Sequence, residues 1–170
     1  MFVLGIDPGL TRCGYGLVEG SFEGIETFRA IRAGTIETSP SNTVEARLAE
    51  LYVELNSLLD DLQPDAVVVE KVFFMRNAKT AIPVAQASGI AVGVAGSRGI
   101  PVRQFTSQEM KLAVTGYGAA SKEQIQGMVA SLCSLSQPPK PADAADALAL
   151  AICYFVTARS ESKYPKATSA

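Results

Sequence analysis

A chain of 170 residues with 48% hydrophobic and 19% charged side chains has the size and balance of one soluble globular domain with its own core. Three scattered cysteines (Cys13, Cys133, Cys153) with no CxxC, and no histidine at all, exclude a disulfide framework, thiolate zinc, Ser-His triads and imidazole bases. The net charge of −2 is unevenly spread: residues 1–70 hold 4 basic and 12 acidic side chains, whereas 71–122 hold 7 basic and Glu109 alone, so a positive face suited to nucleic acid is compatible with an acidic protein.

The apolar run Phe2 to Ile6 predicts a buried strand ending at Asp7, and Pro8-Gly9 predicts a turn into a second strand over 12–20. A third strand is expected over 24–37, joined by another tight turn, so the first three strands should run antiparallel. Leucines at three- and four-residue spacing predict an amphipathic helix over 43–62, with Asn42 and Glu45 at capping-box spacing. "DAVVVEKV" reads as a fourth strand ending in Glu70. Residues 78–97 are rich in small side chains and read as a closely packed helix with Pro83 inside or near its start. "IPVRQF" gives a fifth strand, followed by helices near 106–114 and 121–134, the second capped by Ser121. After a break at Gln137–Pro141 a last helix covers 142–158. This order predicts an α/β fold, a mixed five-stranded sheet with helices on both faces. One domain is expected over 1–158, and 159–170 is expected to be a polar, disordered tail. No apolar stretch approaches the ~20 residues of a membrane span, and no signal-peptide pattern opens the chain, so a cytoplasmic protein with no membrane partner is expected.

Asp7 and Glu70 each end an apolar strand, where open α/β sheets hold ligands. In "PADAADALALAI", Asp143 and Asp146 lie three residues apart and share one helix face among alanines and leucines. Singly, Asp7 could close a turn, Asp143 could cap its helix and Glu70 could point to solvent. Gathered on one apolar scaffold, four carboxylates repel unless a cation joins them, and oxygen donors without His or Cys suit Mg²⁺ or Mn²⁺. Two such ions about 4 Å apart can activate water and stabilise the leaving oxygen of a phosphodiester.

"GIDPGLTRCGYGLV", "VVVEKVFFMRNAKTA" and "ADAADALALAI", in this order and spacing, resemble the RuvC-type Holliday junction resolvases through essentially all of 1–158. The resemblance implies a ribonuclease-H-like fold, a homodimer, and Mg²⁺-dependent paired nicking of four-way DNA junctions, with two ions per site and Mn²⁺ as a substitute. It also implies collaboration with the RuvA–RuvB branch-migration machinery. Asp7, Glu70, Asp143 and Asp146 match the family's catalytic, metal-holding acids. Lys111 and Lys122 match basic positions near the scissile phosphate and backbone, and Phe73 matches the aromatic that stacks on junction bases, with Phe74 beside it. Lys71, Arg76 and Lys79 flank this pair, and cations around exposed aromatics suit DNA. Two other readings start from the same motifs. The first hairpin also resembles the phosphate-binding turn of actin-like ATPases and sugar kinases, which need two such domains. A catalytically idle junction-binding module is the second.

Overall fold

In a computed structural model of the protein, residues 1–21, 27–72 and 78–163 are described, the side chains of 78–80, 162 and 163 excepted. Strands β1 (Phe2–Asp7), β2 (Arg12–Gly20) and β3 (Phe28–Glu37) are followed by helix α1 (Val44–Leu62), strand β4 (Ala66–Glu70), helix α2 (Ala78–Ser97) and strand β5 (Val102–Phe105). Helices α3 (Ser107–Thr115), α4 (Lys122–Leu132) and α5 (Ala142–Lys163) complete the described chain. The five strands form one sheet in the order β3-β2-β1-β4-β5. β1 pairs antiparallel with β2, and β2 with β3, whereas β4 runs parallel to β1 and to β5. The expected mixed sheet is therefore present.

Strand parity divides the core. Leu4, Ile6, Leu17, Val67 and Val69 face one side, where Leu51, Leu55, Leu58 and Leu59 of α1 and Ala87, Ala91, Val94 and Ala95 of α2 cover them. Val3, Val18, Ala66 and Val68 face the other side, against Met110 and Val114 of α3, Ile125 and Val129 of α4 and Leu148 to Phe155 of α5. Successive strand side chains alternate between faces, so Asp7 follows Val3 and Gly5 onto the α5 side. Glu70 follows Ala66 and Val68 there too. Because Ile6 sits opposite Val69 in the β1–β4 ladder, both acids emerge side by side at the same sheet edge.

Helix α5 lies directly on this face. A Cβ built at Gly5 would stand 1.8 Å from the Ala147 carbonyl oxygen, one at Gly14 would stand 2.2 Å from the Asp143 carbonyl oxygen, and one at Gly16 would stand 2.7 Å from the Leu148 nitrogen. Backbone meets backbone here, and Ala144, Ala145, Ala147, Ala149 and Ala151 of α5 are buried.

Several boundaries differ from the sequence reading. The N-cap of α1 is Thr43, without a side-chain cap bond, so the Asn42–Glu45 box does not form. Thr43 takes the extended backbone of a cap and leaves Asn42 outside the helix. The α3 helix has the capping box instead, Thr106 with Glu109, and Ser121 with Gln124 caps α4 as expected. Helix α5 continues to Lys163, through the first residues assigned to a tail: Glu161 ion-pairs with Arg103 of β5, a tertiary contact that holds this end. Strand β3 is described from Phe28, and residues 24–26 of its expected start lie outside the described residues.

Gly5→Ala is expected to prevent folding or to lower Tm by more than 10 °C, because the added methyl must push helix backbone rather than a flexible side chain. Gly127→Ala, exposed inside α4 with nothing within 4 Å of the new carbon, should instead stabilise by roughly 0.5–1 kcal/mol. Calorimetric melting of both variants checks the contrast.

Candidate active site

The ends of β1 and β4 and the first turns of α3, α4 and α5 enclose a cavity of about 70 Å³. Asp7, Glu70, Ser107, Lys111, Lys122 and Asp146 supply its polar lining, and Met110, Ile125 and Leu150 its apolar walls. Residues from five elements, up to 143 positions apart in sequence, thus share one space. Three of the four expected acids line it together with both expected lysines. Asp143 lies one helical turn before Asp146 and stands at the rim, where its carboxylate is 3.5 Å from the Arg12 guanidinium.

The charges explain one another. Burial pushes the Asp7 carboxyl up from the ordinary range to about 8, and the negative charges of Glu70, Asp146 and Asp143 push in the same direction. Burial also raises Glu70, opposed by hydrogen bonds from Asp7 and Ser107 and by the charge of Lys111. Two carboxyls can hydrogen-bond only if one keeps a proton, and here Asp7 keeps it and donates to Glu70. Burial raises Asp146 as well, while Lys122 and Lys111 pull it back and Asp143 adds to the rise. Such an array crowds carboxyl groups into a poorly solvated space, and its candidate ligand atoms are all oxygen. That donor set fits a hard divalent cation. Among the described residues no three such side chains stand drawn together tightly enough to hold a metal ion.

The remaining expected DNA contacts divide. Lys71 lies just past β4, its backbone N–H bonded to the Phe105 carbonyl at 2.8 Å. It borders a larger groove of about 580 Å³ with Glu70, Val72, Val84, Thr106, Ser107 and Gln108. Phe73, Phe74 and Arg76 lie outside the described residues, and Lys79 belongs to α2 with its side chain outside them. Two residues of the site were not singled out from sequence. Ser107 carries no pattern of its own. Arg12 had a legible signal, since strand parity places it on the same face as Gly14 and Gly16.

A family model described as "RuvC: Crossover junction endodeoxyribonuclease RuvC" matches residues 3–154. A crossover junction endodeoxyribonuclease RuvC of Thermobifida fusca is 47% identical over 167 residues, covering 98% of this chain and 91% of that protein. The structure of Thermus thermophilus RuvC matches with a TM-score of 0.85 at 34% identity, covering 94% of this chain and 96% of that one. The same protein in complex with a Holliday junction substrate matches with a TM-score of 0.85 at 33% identity, covering the same shares. A match of this extent favours the resolvase reading of the first hairpin over the kinase-like one.

The raised Asp7 pKa has a sign that can be tested. Between about pH 4 and pH 8 the folded chain holds a proton on Asp7 that the unfolded chain has lost, so this carboxyl costs stability progressively as pH rises through that window. In EDTA, Asp7→Asn should therefore melt higher than wild type at pH 8. The gap should close toward pH 4; equal melting temperatures at pH 8 would contradict the assignment.

Proposed function

The chain belongs to the RuvC family of crossover junction endodeoxyribonucleases, and from that premise we propose that it resolves four-way DNA junctions by metal-dependent hydrolysis of phosphodiesters, using Asp7, Glu70, Asp143 and Asp146. The observation that carries this reading is the convergence of Asp7, Glu70 and Asp146 with Lys111 and Lys122 on one cavity. An all-carboxylate set would hold Mg²⁺, two ions per site, with Mn²⁺ as a substitute. When bound, the ions supply Lewis acidity at the scissile phosphate and a water of lowered pKa.

The chain's own residues do the rest. Lys111 and Lys122 line the cavity that a phosphate would enter, and fixed positive charge there counts most where negative charge grows during the displacement. Met110, Ile125 and Leu150 line the same space and limit its water. Asp7 and Glu70 would both have to be ionised to hold a cation, so the proton that burial favours on Asp7 would be given up on binding. The basic stretch 71–122 supplies backbone contacts along the arms, including Lys71, Arg76 and Lys79.

Two cuts of like polarity call for two sites related by a two-fold axis, hence a homodimer acting on the junction. Of the small residues of α2, Ala87, Ala91 and Ala95 are buried on their own sheet. Ile82, Gly89 and Gly93 face outward and leave that side open to a second copy. Work on junctions moved by a RuvA–RuvB-type branch-migration machinery belongs to the same proposal, as does a cytoplasmic location. No described helix is long and apolar enough to cross a membrane.

On a synthetic four-way junction, Asp7→Asn, Glu70→Gln and Asp146→Asn should each lower the cutting rate at least 100-fold and leave gel-shift affinity within about threefold, since removing negative charge does not weaken phosphate contacts. Chelation with EDTA should stop wild-type cutting, and Mg²⁺ should restore it. Symmetric paired nicks from a two-chain species are expected on cruciform substrates. Single uncorrelated nicks from a monomer on DNA would count against the two-fold arrangement.

Phe73 is proposed to stack on bases at the opened crossover and Phe74 to support it, each such stack being worth about 1–3 kcal/mol. Phe73→Ala should bind Mn²⁺ normally and cut intact junctions poorly, and should recover on junctions carrying unpaired bases at the crossover. Equal rates of cutting by variant and wild type on both substrates would remove that role.

A further inference from the structure

Among the described residues, Asp143 is the expected metal ligand whose carboxylate stands within ion-pair distance of a guanidinium. Arg12 opens β2 directly opposite Glu37 of β3, and its guanidinium reaches both Glu37, 3.2 Å away, and Asp143, 3.5 Å away. Neither partner can drift far. The Asp143 backbone is pressed against Gly14, two residues on from Arg12, and the turn before Arg12 is tied to β3 by the Thr38 N–H donating to the Thr11 carbonyl at 3.2 Å. The Asp143 carboxylate lies between the Arg12 guanidinium and the acids of the cavity, and its negative charge acts on both Asp7 and Asp146. The Arg12 side chain is about half exposed, at 51%, against 26% for Asp143, so water can take up the guanidinium once it is released.

We propose that Arg12 is an internal counter-ion that competes with a divalent cation for Asp143, with Glu37 as the alternative carboxylate that sets how firmly Arg12 holds on. Arg12 is thus a positioning residue: it acts on the site through Asp143 and governs occupancy of the more weakly held ion. This inference rests on the metal-site reading above. An ion that takes Asp143 must first displace a guanidinium, and the site fills in two steps of unequal affinity. Arg12 keeps its contact with Glu37 when it leaves Asp143, so the exchange strands no charge.

The test is a Mn²⁺ titration of the DNA-free protein followed by electron paramagnetic resonance, which counts bound ions without reference to cutting. Arg12→Gln should tighten the weaker Mn²⁺ site about two- to fivefold, the range expected from losing one partly exposed ion pair. Glu37→Gln should loosen it about twofold, because Arg12 then has Asp143 alone. Arg12→Lys, which keeps the charge, should fall between wild type and Arg12→Gln. In an Asp143→Asn background Arg12→Gln should produce no further shift. The same tightening in that background would mean a general field effect and would overturn the contact role, as would Arg12→Gln and Glu37→Gln shifting affinity in one direction. An unchanged weaker site in Arg12→Gln, with Mn²⁺ binding abolished by Asp7→Asn, overturns the inference and leaves the metal-site reading standing. Unchanged Mn²⁺ binding in Asp7→Asn overturns that reading instead.

Discussion

Helix α5 rests on the sheet at backbone distance, and the rest of the site depends on that contact. Gly5, Gly14 and Gly16 leave a side-chain-free strip across β1 and β2, and the carbonyls and nitrogens of Asp143, Ala147 and Leu148 occupy it. A helix set on ordinary side chains would ride several ångströms higher, since packed layers are normally spaced by their side chains. Asp143 and Asp146 would then be lifted away from Asp7. The close seat brings a helix carboxylate to a strand carboxylate with no loop between them, so the acids are fixed by rigid elements.

The same proximity creates the electrostatic tension of the site. Burial is the first cause that pushes Asp7, Glu70 and Asp146 toward the protonated form. Glu70, Asp146 and Asp143 add to the rise at Asp7, Asp146 to that at Glu70 and Asp143 to that at Asp146, while Lys111 relieves Glu70 and Lys122 and Lys111 relieve Asp146. The chain answers in two ways: burial favours a proton on Asp7, which hydrogen-bonds Glu70, and Asp143 pairs with Arg12. Both arrangements are reversible at little cost because the guanidinium is half in water and the proton exchanges with solvent. A site that must take up and release divalent ions needs ligands that are neither collapsed onto one another nor fully neutralised.

Charge also sorts by element. The acidic helix α1 lies on the face away from the cavity and pairs with basic residues of its surroundings, as Asp60 does with Arg98 and Asp61 with Arg32. Lys111 and Lys122 sit on α3 and α4 beside the active site. An overall negative protein can therefore still present cations where a phosphate backbone would pass, and its net charge is a poor guide to what it binds.

The element order, the antiparallel start of the sheet and the strand-end placement of Asp7 and Glu70 were legible in the sequence, because apolar runs, turn residues and three-to-four spacing are local signals. So was the shared face of Asp143 and Asp146, which helical geometry dictates. Helix ends were less so: Asn42 has capping-box spacing with Glu45, yet the backbone entering α1 makes Thr43 the N-cap. The reach of α5 to Lys163 was likewise hidden, because the ion pair of Glu161 with Arg103 joins residues 58 positions apart. What the tertiary structure alone decided is the division among the four acids. Sequence grouped them as equals, whereas the fold puts three in the cavity and gives the fourth to Arg12. A strand residue facing a helix carries no mark of its partner in the sequence, since through-space pairing depends on how closely two elements pack, and here three glycines set that distance.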